Sequence, residues 1–216
     1  LVCSALGRSL RFMNTIKSIA LRAGFKPAIA LFFTFFMLLA GCAEKKPEFR
    51  GIDLTGADYA KDFALPDVNG QTKTLADFKG KAVVLFFGFA QCPDVCPTTM
   101  AEIASVKKSL GKDGEKVTAV FITVDPERDT PQVLKAYMES FDSSFTALRG
   151  TPEQTATLAK SFKVYYKKVE GKTPTSYTID HTAASFVYDP QGKLRLYTRY
   201  GMGAQALADD LKILLK

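Results

Sequence analysis

The sequence predicts an α/β fold: a central mixed sheet with helices packed on both faces and a β-hairpin at its N-terminal end. Three observations carry that prediction. Two apolar runs, residues 81–89 (KAVVLFFGF) and 117–124 (VTAVFITV), have the length and the Val/Phe content of strands covered on both sides. Helix-start signals follow each run, with Pro97 after the first and Thr130-Pro131 after the second. Ahead of them, Asn69-Gly70 separates two short extended stretches in the manner of a hairpin turn.

In chain order, residues 62–66 and 73–75 form that hairpin. Residues 81–89 form the central strand, and a helix is expected over 97–110. Residues 117–124 form the second buried strand. Asp129-Thr130-Pro131 then opens a helix reaching Phe141, because a capping side chain stands before a proline at the first helical position. Thr151-Pro152-Glu153-Gln154 repeats the device with capping-box spacing and starts a helix to about Phe162. Further strands are expected near 163–167, 184–189 and 193–199. Leu207, Leu211, Leu214 and Leu215 place one apolar stripe on a terminal helix.

The formal charge of +7 over 216 residues suggests an anionic partner until its location is considered. Arg8, Arg11, Lys17, Arg22 and Lys26 all precede residue 42, where no acidic residue stands, so the remainder is close to neutral and a nucleic-acid role is excluded. The basic excess belongs to a leader over residues 1–41. Its apolar run, 28–40, is broken only by Thr34 and is shorter than the roughly 20 residues a membrane-spanning helix needs, which suits a signal peptide. Leu39-Ala40-Gly41-Cys42 resembles the bacterial lipobox, making Cys42 the expected lipid attachment site. The alternative is an uncleaved anchor over 27–43. Either way the domain is expected in a bacterial cell envelope, held at a membrane on its extracytoplasmic, periplasmic side. Met13 makes a better start than Leu1, so residues 1–12, Cys3 included, are set aside. Residues 42–58 read as a charged tether and 59–216 as the domain.

The chemistry concentrates in three residues. His181 is the only histidine, and Cys92-Pro93-Asp94-Val95-Cys96 holds the only close cysteine pair. Two thiolates and an imidazole suit a soft copper ion. The pair follows the central strand, at the crevice side of an open sheet, and starts the next helix. A helix's positive end favours thiolate over thiol. Four residues of separation on a helical turn place both side chains on one face, with Cβ atoms about 5–6 Å apart. Both sulfurs are then within reach of one ion, and a small adjustment permits a disulfide. Alternatives remain at this level: a structural disulfide for the cysteines and an unliganded surface role for His181.

Three separated motifs in order, residues 87–98 (FGFAQCPDVCPT), 124–131 (VDPERDTP) and 180–184 (DHTAA), resemble the Sco/SenC family, and the resemblance extends over 62–216. It implies a thioredoxin-like fold and a copper site whose ligands are Cys92, Cys96 and His181. It further implies binding of Cu(I) and Cu(II), delivery of copper to the CuA-bearing subunit of cytochrome c oxidase, and reduction of that subunit's cysteines by the Cys92–Cys96 pair. Such a metallochaperone is not primarily an enzyme. The competing reading is a membrane-anchored thiol-disulfide oxidoreductase, but thioredoxin-like reductases use CxxC facing a cis-proline, and here the spacing is CxxxC with Ala183 at the corresponding place. A peroxiredoxin-like peroxidase needs a threonine three residues before its reactive cysteine; Phe89 and Pro93 stand there instead.

Other candidates read more plainly as structure. Residues 125–131 form a turn and an N-cap. Asp180 neighbours His181 but points to the opposite face of a strand. Met100 belongs to a helix's apolar face, and Met202 is a weak soft-ligand candidate. Tyr165-Tyr166-Lys167-Lys168 reads as a solvated strand end, and the phenylalanines of the central strand as packing.

Overall fold

The computed structural model describes residues 47–172 and 176–216. The leader, Cys3, Cys42 and the first part of the expected tether lie outside the described residues. Among the described residues the strands and α-helices follow in this order: β1 (Ile52–Asp53), β2 (Ala64–Pro66), β3 (Thr72–Thr74), β4 (Ala82–Gly88), α1 (Val95–Ser109), β5 (Val117–Thr123), α2 (Pro131–Glu139), β6 (Thr146–Leu148), α3 (Pro152–Ser161), β7 (Tyr166–Glu170), β8 (Tyr177–His181), β9 (Ala184–Tyr188), β10 (Leu194–Arg199) and α4 (Ala204–Leu214).

β4 and β5 are the apolar runs, and every residue of both is buried. They pair in parallel from Ala82↔Val117 to Gly88↔Thr123, β6 extends the parallel side, and β9, β10 and β1 add antiparallel strands in the order β1-β10-β9-β4-β5-β6. The mixed sheet is as expected. Side-chain alternation divides its two faces. Phe87 and Phe186 meet Phe162, just past α3, on one side. Phe86 and Phe121 lie on the other, where Tyr137 of α2 meets Phe121. Helices therefore cover both faces.

Local signals explain most boundaries. In the β2–β3 hairpin, Ala64 pairs with Thr74, and Gly70 takes a φ of +79° that glycine adopts without strain. Thr130 caps α2 by accepting from the Val133 amide, and Pro131 occupies the first turn. Thr151 and Gln154 close a reciprocal capping box at α3.

Four features differ from the sequence expectation. α1 begins at Val95, two residues before Pro97. The strand expected near 163–167 runs instead over 166–170 and, among the described residues, pairs only with β8, whose strand the sequence suggests at Asp180 and His181 without bounds or a pairing partner. In β8, Ile179 is buried, Tyr177 and His181 are half-buried, and Thr178 and Asp180 are exposed, an alternation that rests on one fully buried side chain. β6 has three residues and β1 two, below the length at which periodicity is visible. Finally, the folded unit reaches back past Tyr59. Phe49 packs against the core, the Arg50 and Gly51 amides donate to the buried Asp210 carboxylate at 2.7 and 2.8 Å, and β1 pairs with β10. The second half of the expected tether is thus part of the domain, held by a carboxylate 160 residues away in sequence.

Candidate metal centre

The cysteine side of the site is built on the end of β4. A Cβ at Gly88 would stand 2.8 Å from the Phe86 ring and 2.9 Å from both Cys96 Sγ and the Phe121 ring. The missing side chain is the seat of the sulfur. Cys96 is fully buried in the first turn of α1, whereas Cys92 is half-buried in the turn before the helix, where its amide donates to the Phe89 carbonyl (3.1 Å). The pair does not share a helical turn, as the spacing suggested. The bend at residues 90–94 brings the sulfurs together, and the Cys96 amide donates to Cys92 Sγ at 3.4 Å. Both cysteines are free thiols. Burial pushes the Cys96 thiol well above the ordinary thiol range, so desolvation outweighs the helix-end effect expected to favour its thiolate.

His181 ends β8, and its Nε2 lies 3.4 Å from Cys96 Sγ. Its Nδ1 lies 3.2 Å from the Thr182 carbonyl, which can only accept, so the proton belongs on Nδ1 and the Nε2 lone pair faces the sulfurs. Phe86 and Phe89 meet the imidazole edge-on at 5.7 and 5.9 Å between ring centres. Burial lowers its pKa, partly offset by the Thr182 carbonyl and Asp180, and favours the neutral ring that a metal requires. Cys92, Cys96 and His181 each offer one ligand atom, and the three lie within 4.8 Å of one another. Two soft sulfurs and one borderline nitrogen in a mostly buried setting fit a copper ion by donor chemistry.

The 125–131 turn contributes more than a cap. Asp129 is fully buried, accepts from the Ala90 amide (3.1 Å) and the Thr123 hydroxyl (2.5 Å), and has its pKa raised by burial. It therefore fixes the segment two residues before Cys92. Asp125 is buried as well. It receives the Arg128 guanidinium and the Tyr177 hydroxyl (2.8 Å), and Tyr177 lies on the strand that carries His181.

Among the other candidates, Met100 is core, with no exposed surface. Asp180 is exposed and does not join the ligand cluster, and Met202 is half-buried in the turn before α4. Tyr165 is exposed. Sequence reading missed Gly88 as a sulfur seat, Phe86 and Phe89 as the walls of the imidazole, and Tyr177 as a strut. Gly88 had a signal, since a glycine inside an apolar strand marks a close approach.

A mixed sheet with helices on both faces and a cysteine pair after the first parallel strand defines a thioredoxin-like protein, here with a histidine added to the pair. The chain belongs to the SCO1/SenC family, whose model matches residues 53–216. An SCO2-like protein of Rickettsia felis is 38% identical over 133 residues, 61% of this chain and 65% of that protein. The mitochondrial SCO2 homolog of Bos taurus is 34% identical over 153 residues, 70% of this chain and 58% of that one. The chain thus spans less than two thirds of the length of these relatives. The copper-bound structure of ScoI from Bradyrhizobium japonicum is 44% identical, with a TM-score of 0.64 over 71% of this chain and 98% of that one.

Proposed function

We propose that this protein is a metallochaperone that binds copper through Cys92, Cys96 and His181 and delivers it to the CuA-bearing subunit of cytochrome c oxidase. The observation that carries the reading is the convergence of three donor atoms from two distant segments to within 4.8 Å. The copper-bound relative and the family membership support it. Two thiolates and an imidazole form a three-coordinate set suited to Cu(I), and the same donors serve Cu(II). Half-exposed Cys92 lets an incoming ligand displace the protein's own, so that copper passes by ligand exchange. We place the domain on the periplasmic side of a bacterial envelope, tethered through a lipid on Cys42; Cys42→Ala should release it from the membrane fraction.

The exposure difference between the two sulfurs also supports a redox role. The accessible Cys92 thiolate attacks a disulfide of the CuA subunit, and Cys96 resolves the mixed disulfide. Two partner thiols and a Cys92–Cys96 disulfide result, with two electrons passing from the pair to the partner. Cys92→Ser should abolish that reduction even when copper is supplied directly.

The deciding experiment is titration of the protein with Cu(I) and Cu(II), with and without His181→Ala, followed by absorption and EPR. His181→Ala should weaken Cu(II) binding sharply while leaving thiol reactivity intact. Unchanged Cu(II) affinity in that variant would remove the histidine from the site.

A further inference from the structure

His181 is carried on an arm with little support of its own. Among the described residues, β7 and β8 pair only with each other, and residues 167–170 of β7 are exposed. A two-stranded ribbon of this kind is marginal in water by itself. Its end beside the site is closed by Tyr165 and Thr182, through the Thr182 amide to the Tyr165 carbonyl (2.9 Å) and the Tyr165 amide to the Thr182 hydroxyl (3.0 Å). Its other end is held at Tyr177, four residues before His181.

The hold on Tyr177 grips three parts of one residue. Its hydroxyl donates to Asp125 (2.8 Å), its carbonyl accepts from Arg128 Nη1 (2.9 Å), and its ring lies 3.6 Å from the Arg128 guanidinium carbon on one contact and 3.8 Å from Lys168 Nζ on another. Arg128 is itself fixed by an ion pair to Asp125, which is 3% exposed. Desolvation makes such a charged hydrogen bond stronger than one on the surface. Backbone and ring of Tyr177 are therefore fixed together, and β8 can neither slide nor twist without breaking a contact.

The same network reaches the cysteines. The Asp125 amide donates to the Thr123 hydroxyl (2.9 Å), that hydroxyl donates to Asp129, and Asp129 accepts from the Ala90 amide. A second route is shorter. The Arg128 guanidinium lies 5.8 Å from the Phe89 ring centre, and Phe89 meets His181 edge-on. One turn, residues 125–129, thus touches both the segment before Cys92 and the arm that bears the imidazole.

We propose that Arg128, Asp125 and Tyr177 are positioning residues that set the separation between His181 and the two sulfurs. They act through His181 and touch no metal. Arg128 is suited to the task because its planar fork meets a carboxylate and a carbonyl at once, which a lysine ammonium cannot do with fixed geometry. The proposal rests on the copper-binding reading for its functional consequence and on the arm's geometry alone for its structural one.

The test is a double-mutant cycle in the full chain with Cu(II) as the probe. Arg128→Ala should lower Cu(II) affinity by about 10- to 100-fold, the usual range for residues that orient a ligand. Tyr177→Phe, which keeps the ring and loses one hydrogen bond, should give a smaller loss in the same direction and guards against a misfolded Arg128 variant. In a His181→Ala background, Arg128→Ala should lose most of that effect on Cu(II) affinity, because the route through the imidazole is gone and only the longer path through Asp125, Thr123 and Asp129 to the Ala90 amide remains. Full additivity in the two backgrounds overturns the proposal. A metal-free readout accompanies the cycle. Hydrogen exchange at Thr178 and Asp180, whose amides face β7 in the register set by the Thr182–Tyr165 bond, should quicken by about tenfold in Arg128→Ala while residues 83–86 keep their protection. Unchanged exchange in the arm overturns the proposal whether or not copper binds. Failure of the unmodified chain to take up Cu(II) counts against the copper reading instead.

Discussion

Cys96 Sγ and His181 Nε2 stand 3.4 Å apart, yet opposite kinds of structure hold them. The sulfur side grows from β4, a strand buried along its whole length and paired on both edges. The imidazole side ends an arm that, among the described residues, pairs only with itself and buries one residue of β8, Ile179. The first is fixed by packing, which resists change through many small contacts. The second is fixed by a few polar and cation–π contacts to one turn, which can be removed singly. Under the copper-delivery role proposed above, that asymmetry divides the work: a rigid thiol seat would hold the ion, and a separately held histidine would complete or open the coordination.

The comparison breaks most completely where one side chain serves both halves. Phe86 is fully buried on β4, lies 6.3 Å from the Phe121 ring centre and forms one wall of the His181 pocket. Phe86→Ala should cost about 3–5 kcal/mol of folding stability through lost burial and the cavity left behind. Chemical denaturation should show that loss, and copper binding should fall with it. A loss under 1 kcal/mol would mean that the two halves do not share this wall.

Gly88→Ala bears most directly on the sulfur side. Its methyl would meet Cys96 Sγ and two aromatic rings at 2.8–2.9 Å, and overpacking of this kind costs about 1–3 kcal/mol. Cys96 should be displaced from its seat, so Cu(I) competition assays should show a marked fall in affinity while hydrogen exchange in β7 and β8 stays as it was. Native Cu(I) affinity in this variant would show that the seat is not needed.

How much of this was legible in the sequence follows the same division. Strands β4, β5, β9 and β10, all four helices and the hairpin came from apolar runs, caps and one Asn-Gly turn, signals written in neighbouring residues. Cys92, Cys96 and His181 were legible because soft donors are scarce in this chain and because three motifs resembled a known family. The arm was not. Its support comes from Asp125 and Arg128, some 50 residues from Tyr177, and partners so far apart in sequence leave no periodicity. The position of Cys92 was misread for a related reason. Four-residue spacing fits a helical turn, and nothing local reveals that the chain bends before the helix starts at Val95.

Asp129→Ala separates the turn's two attachments. It leaves the Ala90 amide without its carboxylate, at a cost of about 1–3 kcal/mol for a buried donor left unpaired. Hydrogen exchange should rise at residues 90–92, while the arm, still tied through Asp125 and Arg128 to Tyr177, should keep its protection. Equal loosening of the arm would show that the two attachments are one cooperative unit.

The smallest effect is expected where the arm faces solvent. Val169 pairs with Thr178 in the middle of the hairpin and is 37% exposed. Val169→Ser removes little apolar contact, and a surface substitution away from caps, cores and networks normally stays within about 0.5 kcal/mol. Thermal unfolding and Cu(II) affinity should both be unchanged, although the residue lies on the ribbon that carries a ligand. A clear loss of Cu(II) affinity from Val169→Ser would mean that β-propensity along the ribbon, rather than the grip on Tyr177, holds His181 in place, and the division between a packed sulfur seat and a clamped imidazole would have to be redrawn.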